Sequence, residues 1–465
     1  MTNRRTFLAA TLAAAATAQA AGRRLNIIQI LIDDMGYADL GCYGGPAATP
    51  NIDRLASEGI RFTQGYVASP VCSPSRVGIT TGQFPSRHQI YSYLDTREAQ
   101  RKHGIRNWLD LKAPSVARTF HDAGYATGHF GKWHMGGGRD VGEAPLPTEY
   151  GFDESYTSFE GLGDRALPPG RLSDQNEKLG RGNITRAAQR DLTGIYVDRT
   201  LAFMKKAVAA GKPFYIHLWP NEVHDAYDPQ PEMMRKYEKY AQEKYVQQYY
   251  ATIEDMDRQL GRVFRAVDEM GLADQTLIVV LSDNGPTAWP RYYNEKREAP
   301  GSTGGLRGRK WSLYEGGVRI PFLARWKGRI PAGRTDGQSV VCSLDLFPTC
   351  CKLAGVSTPK VKFDGEDRSG VFLGKASART RDILWDYGRD SDYQKPGIPH
   401  DQSPNLAIRS GNWKLLINDD ASKLELYDLA KDRAESTNVA SQHPDVAKRL
   451  SQRLLEWRRA LPTDI

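Results

Sequence analysis

The sequence predicts a large α/β domain on a mostly parallel sheet with helices on both faces. A small C-terminal subdomain with an antiparallel sheet and one helix should follow. Three observations carry this. Apolar runs of strand length alternate with stretches of helical period through most of the chain. Such alternation is the pattern of strand–helix–strand crossovers, which make neighbouring strands parallel and cover both sheet faces. After residue 380 the pattern changes to short strands at hairpin spacing. Finally, 465 residues with 40% hydrophobic and 25% charged content can bury one large core and a smaller one.

The elements follow in order. Residues 26–32, Asn-Ile-Ile-Gln-Ile-Leu-Ile, read as a buried strand, and 52–59 as a short helix ended by Gly59. A helix over 115–123 leads into a strand over 125–130, and a helix over 196–210 into a strand over 213–219. Residues 245–270 read as one long helix stopped by Gly271, before a strand over 276–281. Between these, 154–193 is polar, glycine-rich and without a period, and is expected to be a surface insertion. Near 360–380 the composition shifts to Lys, Gly, Ser and Arg, which suggests a linker. This divides the chain into a catalytic domain over 21–370 and an α+β subdomain over 371–465. In the latter, 382–387, 405–410, 413–418 and 424–429 read as strands, with a Gly411-Asn412 turn, and 444–460 as a closing helix.

Residues 1–20 differ from the rest. Asn3-Arg4-Arg5-Thr6-Phe7-Leu8 is followed by an alanine-rich run and the small-residue site Ala18-Gln19-Ala20. This is the form of a twin-arginine signal peptide, and it places the mature protein in a bacterial periplasm or outside the cell. The apolar run is too short to span a bilayer, and no later segment approaches that length. The net charge of +8 falls to +6 once Arg4 and Arg5 are removed, which favours anionic partners. The basic residues are scattered and no nucleic-acid-binding signature occurs, so nucleic acid is not an expected partner. Of five cysteines, Cys342, Cys350 and Cys351 flank an apolar helical segment and read as small core residues.

Chemistry concentrates at the ends of the predicted strands, where open α/β sheets bind ligands. The first strand ends in Asp33-Asp34 and the strand over 276–281 in Ser282-Asp283-Asn284-Gly285. Asp33, Asp34, Asp283 and Asn284 are hard oxygen donors, suited to one divalent Ca²⁺ or Mg²⁺ and not to zinc. The strand over 125–130 runs into Gly131-Lys132-Trp133-His134, and that over 213–219 into Asn221-Glu222-Val223-His224. Gly308-Arg309-Lys310-Trp311 adds another cation. A metal with fixed cations would neutralise an anionic ester, and a histidine would protonate the leaving oxygen. The remaining feature is Cys72-Ser73-Pro74-Ser75-Arg76, which opens a small-residue helical stretch. Aromatic and basic residues over 87–93, including His88, and over 289–297 suit a sugar subsite.

Six motifs in one order resemble the formylglycine-dependent type I sulfatases, an arylsulfatase-like family in the alkaline-phosphatase superfamily. They are Asp33 to Tyr37, Thr49 to Ala56, Cys72 to Arg76, Gly131 to His134, Ser282 to Gly285, and Leu306-Arg307-Gly308 with Tyr314 to Gly317. The resemblance implies an alkaline-phosphatase-like fold and hydrolysis of a sulfate monoester, with a sulfated carbohydrate as the expected substrate. It implies that a formylglycine-generating enzyme converts Cys72 to formylglycine, whose hydrate attacks sulfur. It implies that Asp33, Asp34, Asp283, Asn284 and the modified Cys72 hold the metal, usually calcium. Arg76 and Lys132 would hold the hydrate, His134 would act as base, His224 as general acid, and Lys310 as a sulfate clamp. His224, Lys310 and His88 are the substrate-binding candidates. The chain departs from the pattern at Asp225-Ala226, where many members have a proline nearby, and at Arg309 and Trp311, which replace common glycines. The bulky pair is expected to make the pocket wall more cationic. Two alternatives stand beside this reading. One is a phosphonate or phosphate diester hydrolase on the same fold; the other is an inactive sulfated-glycan-binding protein.

Overall fold

A computed structural model describes residues 24–388 and 393–463. The expected signal peptide lies outside the described residues. The main sheet has eight strands in the spatial order Arg334–Asp336, Ile60–Phe62, Phe322–Arg325, Thr276–Ser282, Asn26–Ile32, Phe214–Trp219, Ala126–Gly131 and Glu154–Tyr156. Only Phe322–Arg325 runs antiparallel to its neighbours; the other pairings are parallel. The carboxyl ends of the four central parallel strands therefore share one edge, and the site is built there.

Why these residues form this sheet is visible in two-residue periodicity. Along Asn26–Ile32, Ile27 and Leu31 enter one apolar cluster, while Ile28, Ile30 and Ile32 enter the other. Along Thr276–Ser282, Leu277, Val279 and Leu281 face the first cluster and Ile278 and Val280 the second. A strand buried on both faces needs this unbroken apolar run. Helices Leu192–Ala209 and Lys244–Glu269 cover the second face through Val197, Met204, Ile253, Leu260 and Phe264. Helices Cys72–Thr81, Val116–Asp122 and Leu346–Ala354 cover the first. Cys342, Cys350 and Cys351 are free and buried in that cluster, as small core residues.

The C-terminal strands Ile383–Asp386, Leu406–Ser410, Trp413–Ile417 and Glu425–Asp428 form an antiparallel sheet, and helix Pro444–Arg459 packs on it. Two expectations need correction. The 154–193 stretch is no mere surface insertion: Glu154–Tyr156 joins the main sheet, and Thr157, Ser158, Glu160 and Arg165 are buried. Hydrogen bonding to backbone, not apolar period, orders it, so periodicity could not reveal it. Nor is 360–380 a free linker. Helix Ser369–Phe372 buries Val371 and Phe372, whose ring lies 5.3 Å from that of Phe62.

His129 and His217 lie side by side in the sheet among Trp133, Phe152 and Trp219. Burial, reinforced by Arg76, pulls His129 down to about 3, and burial also draws His217 well below the usual range. Both are neutral in the folded protein and titrate near pH ~6.5 when unfolded. Between these values the unfolded chain binds more protons, so stability rises with pH and is lost as pH falls through that window. The urea midpoint should therefore drop from pH ~7 to ~5, and His129→Phe should flatten that dependence. A variant with the wild-type slope contradicts this.

Candidate active site

Cys72 is the first residue of the buried helix Cys72–Thr81. The pentapeptide explains the placement. Ser75 Oγ donates to the carbonyl of Ser69 at 2.8 Å, and Ser73 Oγ accepts from the backbone N–H of Leu94 at 3.1 Å. Pro74 sits in the first turn, where its missing N–H costs nothing. Gly78 lets the helix lie against its neighbours, since a Cβ there would come within 2.7 Å of the Ala68 Cβ. Arg76, one turn on, reaches across: Nη2 donates to Asp283 Oδ2 at 2.7 Å and Nη1 to the Lys132 carbonyl at 2.8 Å.

The carboxylates come from the two central strands. Asp33 and Asp34 follow Ile32, and Asp283 and Asn284 follow Ser282, whose register partner is Ile32. All four are buried. Lys132 Nζ lies 2.5 Å from Asp33 Oδ2, and Lys310 Nζ 2.7 Å from Asp34 Oδ1. Asn284 spends its Nδ2 on Asp34 Oδ1 at 2.7 Å and on the Gly285 carbonyl at 2.8 Å. Its Oδ1, and Asp33 Oδ1, are buried with no hydrogen-bond partner among the described residues. Asp33, Cys72 and Asp283 each offer an atom within 4.8 Å of the others. Two buried acceptor oxygens left without donors, on residues at the ends of paired strands, fit a hard divalent cation.

Electrostatics agree. Burial pushes Asp33 up, but Lys132, His224, Arg76 and Lys310 outweigh it and hold the carboxyl well below its usual range. Burial and the Asp33 charge together drive Asp283 up to about 7. A dication between them would relieve that repulsion. Burial pushes the Cys72 thiol up to about 11 against the pull of Lys132 and Lys310, so an unmodified Cys72 holds its proton at neutral pH.

Two histidines flank the cluster. Gly131 adopts φ +122° at the end of its strand, where a Cβ would strike the Trp219 carbonyl, and this turn delivers Lys132 and His134. His134 is buried, with Nε2 3.6 Å from Glu160 Oε2. Burial, Lys132 and Arg76 draw it well below the usual histidine range. His224 faces a cleft of about 550 Å³ together with Asp33, Lys132 and Asn221. Its Nδ1 lies 2.5 Å from the Asp225 carbonyl, which only accepts, so Nδ1 carries the hydrogen. Nε2 is left 3.7 Å from Asp34 Oδ2. Burial and Lys310 lower its pKa.

The structure thus brings together Asp33, Asp34, Cys72, Arg76, Lys132, His134, His224, Asp283, Asn284 and Lys310. It does not bring His88, which bonds to Gln83 Oε1 at 3.0 Å beside an Arg87–Asp364 ion pair. Within 87–93, Arg87 and His88 are thus held by Asp364 and Gln83, away from the cleft that His224 lines. Arg309 is also no pocket wall: it turns away to the carbonyls of Thr287, Ala299 and Gly301. Trp311 is buried, 4.7 Å from the Trp289 ring. Within 289–297, Arg291 and Tyr292 clasp Asp225, the residue after His224. The sequence singled out neither Glu160 nor Asn221, and left Ser158 beside Ser155 as an unplaced candidate for a serine near the sulfate. Asn221 Nδ2 donates to Ser158 Oγ at 3.1 Å. Glu160 and Ser158 lie in the aperiodic stretch; Asn221 stands three residues before His224, but a neutral amide carries no acid or base chemistry that singles it out.

A parallel sheet with carboxylates, cations and histidines gathered at its carboxyl edge defines a hydrolase of anionic esters. Known proteins make this specific. A family model described as sulfatase matches residues 25–356, and one described as N-sulphoglucosamine sulphohydrolase, C-terminal, matches 308–460. Human arylsulfatase A is 30% identical, over 95% of this chain and 89% of its own. An N-acetylgalactosamine-6-O-sulfatase of Bacteroides thetaiotaomicron is 28% identical over 92% of each. Among solved structures, Ps i-CgsB in complex with k-i-k-neocarrahexaose superposes with TM-score 0.78 at 26% identity, covering 95% of this chain and 94% of that one. PsFucS1 sulfatase from Pseudoalteromonas sp. gives 0.72 at 25% identity, over 100% and 96%. The chain belongs to the sulfatase family, in the alkaline-phosphatase superfamily, and is a sulfuric ester hydrolase.

Proposed function

We propose that this protein removes sulfate from sulfated glycans at Cys72, after that residue has become formylglycine. One observation carries the reading. Cys72 lies buried at a helix start against Asp33 and Asp283, with Arg76, Lys132 and Lys310 around it. The names of relatives, one a sulfatase of a 6-O-sulfated amino sugar and one solved with an oligosaccharide bound, support the glycan substrate.

The roles follow from the contacts. Asp33, Asp34, Asp283 and Asn284 would hold one Ca²⁺, or Mg²⁺, whose charge offsets that of the ester. As an aldehyde hydrate, position 72 would supply an oxygen nucleophile where a buried thiol at about 11 supplies none. Lys310 would clamp a sulfate oxygen and Lys132, beside Asp33, would hold the hydrate, both as fixed cations. Arg76 ties position 72 to Asp283. His134, kept neutral, is able to accept a proton from position 72, and Glu160 steadies the imidazolium that results. With Nδ1 fixed on the Asp225 carbonyl, His224 presents Nε2 to the cleft as the acid for the leaving oxygen. The anionic ester beside it favours its charged form. We also propose that 21–370 carries catalysis, that 371–465 supports it, and that the Arg4-Arg5 leader exports the folded protein to the periplasm after a formylglycine-generating enzyme acts.

The leaving group tests His224. Against a sugar sulfate, His224→Ala should lower kcat/KM by about 10²–10⁴, the usual worth of a general acid. Against 4-nitrophenyl sulfate, whose leaving group departs unprotonated, the loss should be far smaller. Equal losses on both would remove His224 from the acid role. The phosphodiester alternative shares fold with the Agrobacterium radiobacter phosphonate monoester hydrolase, at TM-score 0.62. Faster turnover of an aryl phosphodiester than of an aryl sulfate would favour it.

A further inference from the structure

Beyond the reacting ester, the cleft holds a charge with nothing to answer it. Of its carboxylates, Asp33 is paired with Lys132, Asp228 with Arg190 at 2.7 Å, and Asp225 with Arg291. Arg171 lines the same cleft, is exposed, and makes no hydrogen bond or ion pair among the described residues. Its own helix, Arg171–Glu177, offers it no acid, because Asp174 and Glu177 are both held by Arg186. An arginine that is not neutralised within its cleft favours an anionic group there.

The helix that carries Arg171 is anchored at its far end. Buried Arg165 grips the same helix from below, with Nε donating to Asn176 Oδ1 at 2.5 Å and Nη2 to the carbonyls of Asn176 at 3.1 Å and Gly180 at 2.7 Å. Asn176 Nδ2 donates to the Gly137 carbonyl at 2.9 Å, three residues beyond His134. The segment that carries Arg171 is thus tied to the segment that carries the base. The cleft, about 550 Å³, also has room for more than the sulfate group that Lys132 and His224 would meet.

We infer that Arg171 is a specificity-determining residue that reads a second anionic group on the glycan, a sulfate or a carboxylate beyond the one removed. The true substrate is then a multiply anionic saccharide. This rests on the sulfatase reading above and adds the charge of the neighbouring position.

The test uses competitive inhibition of 4-nitrophenyl sulfate hydrolysis by three matched disaccharides. One carries a single sulfate, one a second sulfate on the neighbouring ring, and one a carboxylate at that place. Wild-type protein should prefer the two-anion compounds, and the larger preference tells which anion is read. In Arg171→Gln the ratio of inhibition constants, one anion over two, should shrink by on the order of 10-fold, the scale of one charged hydrogen bond. Arg171→Lys should keep part of it. An unchanged ratio in Arg171→Gln, or no preference in wild type, overturns the inference. No hydrolysis of any sulfate ester by correctly processed wild type overturns the sulfatase reading instead. Calorimetric titration with the same three disaccharides then still decides the role of Arg171.

Discussion

Cys72→Ala should abolish sulfate ester turnover, with kcat/KM lower by on the order of 10⁶, the scale on which losing a catalytic nucleophile acts. No neighbour can replace it. The carboxylates are engaged by Arg76, Lys132 and Lys310, the lysines are charged donors, and His134 and His224 are given to proton transfer. Cys72→Ser separates the two halves of the account. A serine hydroxyl can attack sulfur but, having only one oxygen, cannot expel the sulfate it acquires. The serine variant should give at most one equivalent of product in rapid-quench measurements and then stall as a sulfated protein. Steady turnover by Cys72→Ser near the wild-type rate would show that an aldehyde is not needed.

Lys414→Met should produce the largest loss of stability. Lys414 is fully buried in the C-terminal sheet, 3.0 Å from both Glu315 Oε1 and Glu435 Oε1. Tyr66 donates to Glu315 at 2.5 Å, and Arg319 lies 3.3 Å from it. Burial raises Glu315, but Lys414 and Arg319 hold it down to about 2; burial and neighbouring Glu315 push Glu435 up to about 7. Removing the shared cation strands a buried carboxylate, which costs about 3–5 kcal/mol. The deficit should depend on pH. Glu435 has a folded pKa above its unfolded value, so the folded state binds the extra proton and stability falls as pH rises through that window. The variant should therefore lose more at pH ~8 than at ~6, read from urea midpoints, and Glu435→Gln in the same chain should recover part of the loss. A pH-independent deficit, or none, contradicts this.

The consequence reaches the site. The loop that carries Lys310 is held by the C-terminal sheet and its neighbours on both sides. Gly308 N–H donates to Asp401 at 3.2 Å, Leu313 N–H to Ser403 Oγ at 2.9 Å, and Glu315 N–H to Glu435 at 2.5 Å. Arg307 stacks 3.7 Å from the Tyr314 ring centroid and bonds to Tyr427. The Lys414 variant should thus also lose turnover at temperatures where it remains folded.

What the sequence discloses follows from what leaves a local mark. Strands buried on both faces must be apolar throughout, so 26–32 and 276–281 are legible to within a residue of Asn26–Ile32 and Thr276–Ser282. The acids and cations at their ends stand out because charge directly after an apolar strand is unusual. Glu160, Arg165 and Asn176 leave no such mark, because each is set by carbonyls and amides distant in sequence. His88 misled for the converse reason: a histidine beside aromatic residues looks like a sugar contact until Gln83 and Asp364 are seen to enclose it. Arg309 and Trp311 likewise turn inward, in directions that composition does not encode.

The most direct measurement of the central claim is the intact mass of the peptide containing position 72, taken from protein whose sulfate ester turnover has been measured. The account predicts that active protein carries that residue with H₂S exchanged for O, the mass of an aldehyde, and that turnover scales with the modified fraction. Full activity with an unmodified Cys72 would contradict it.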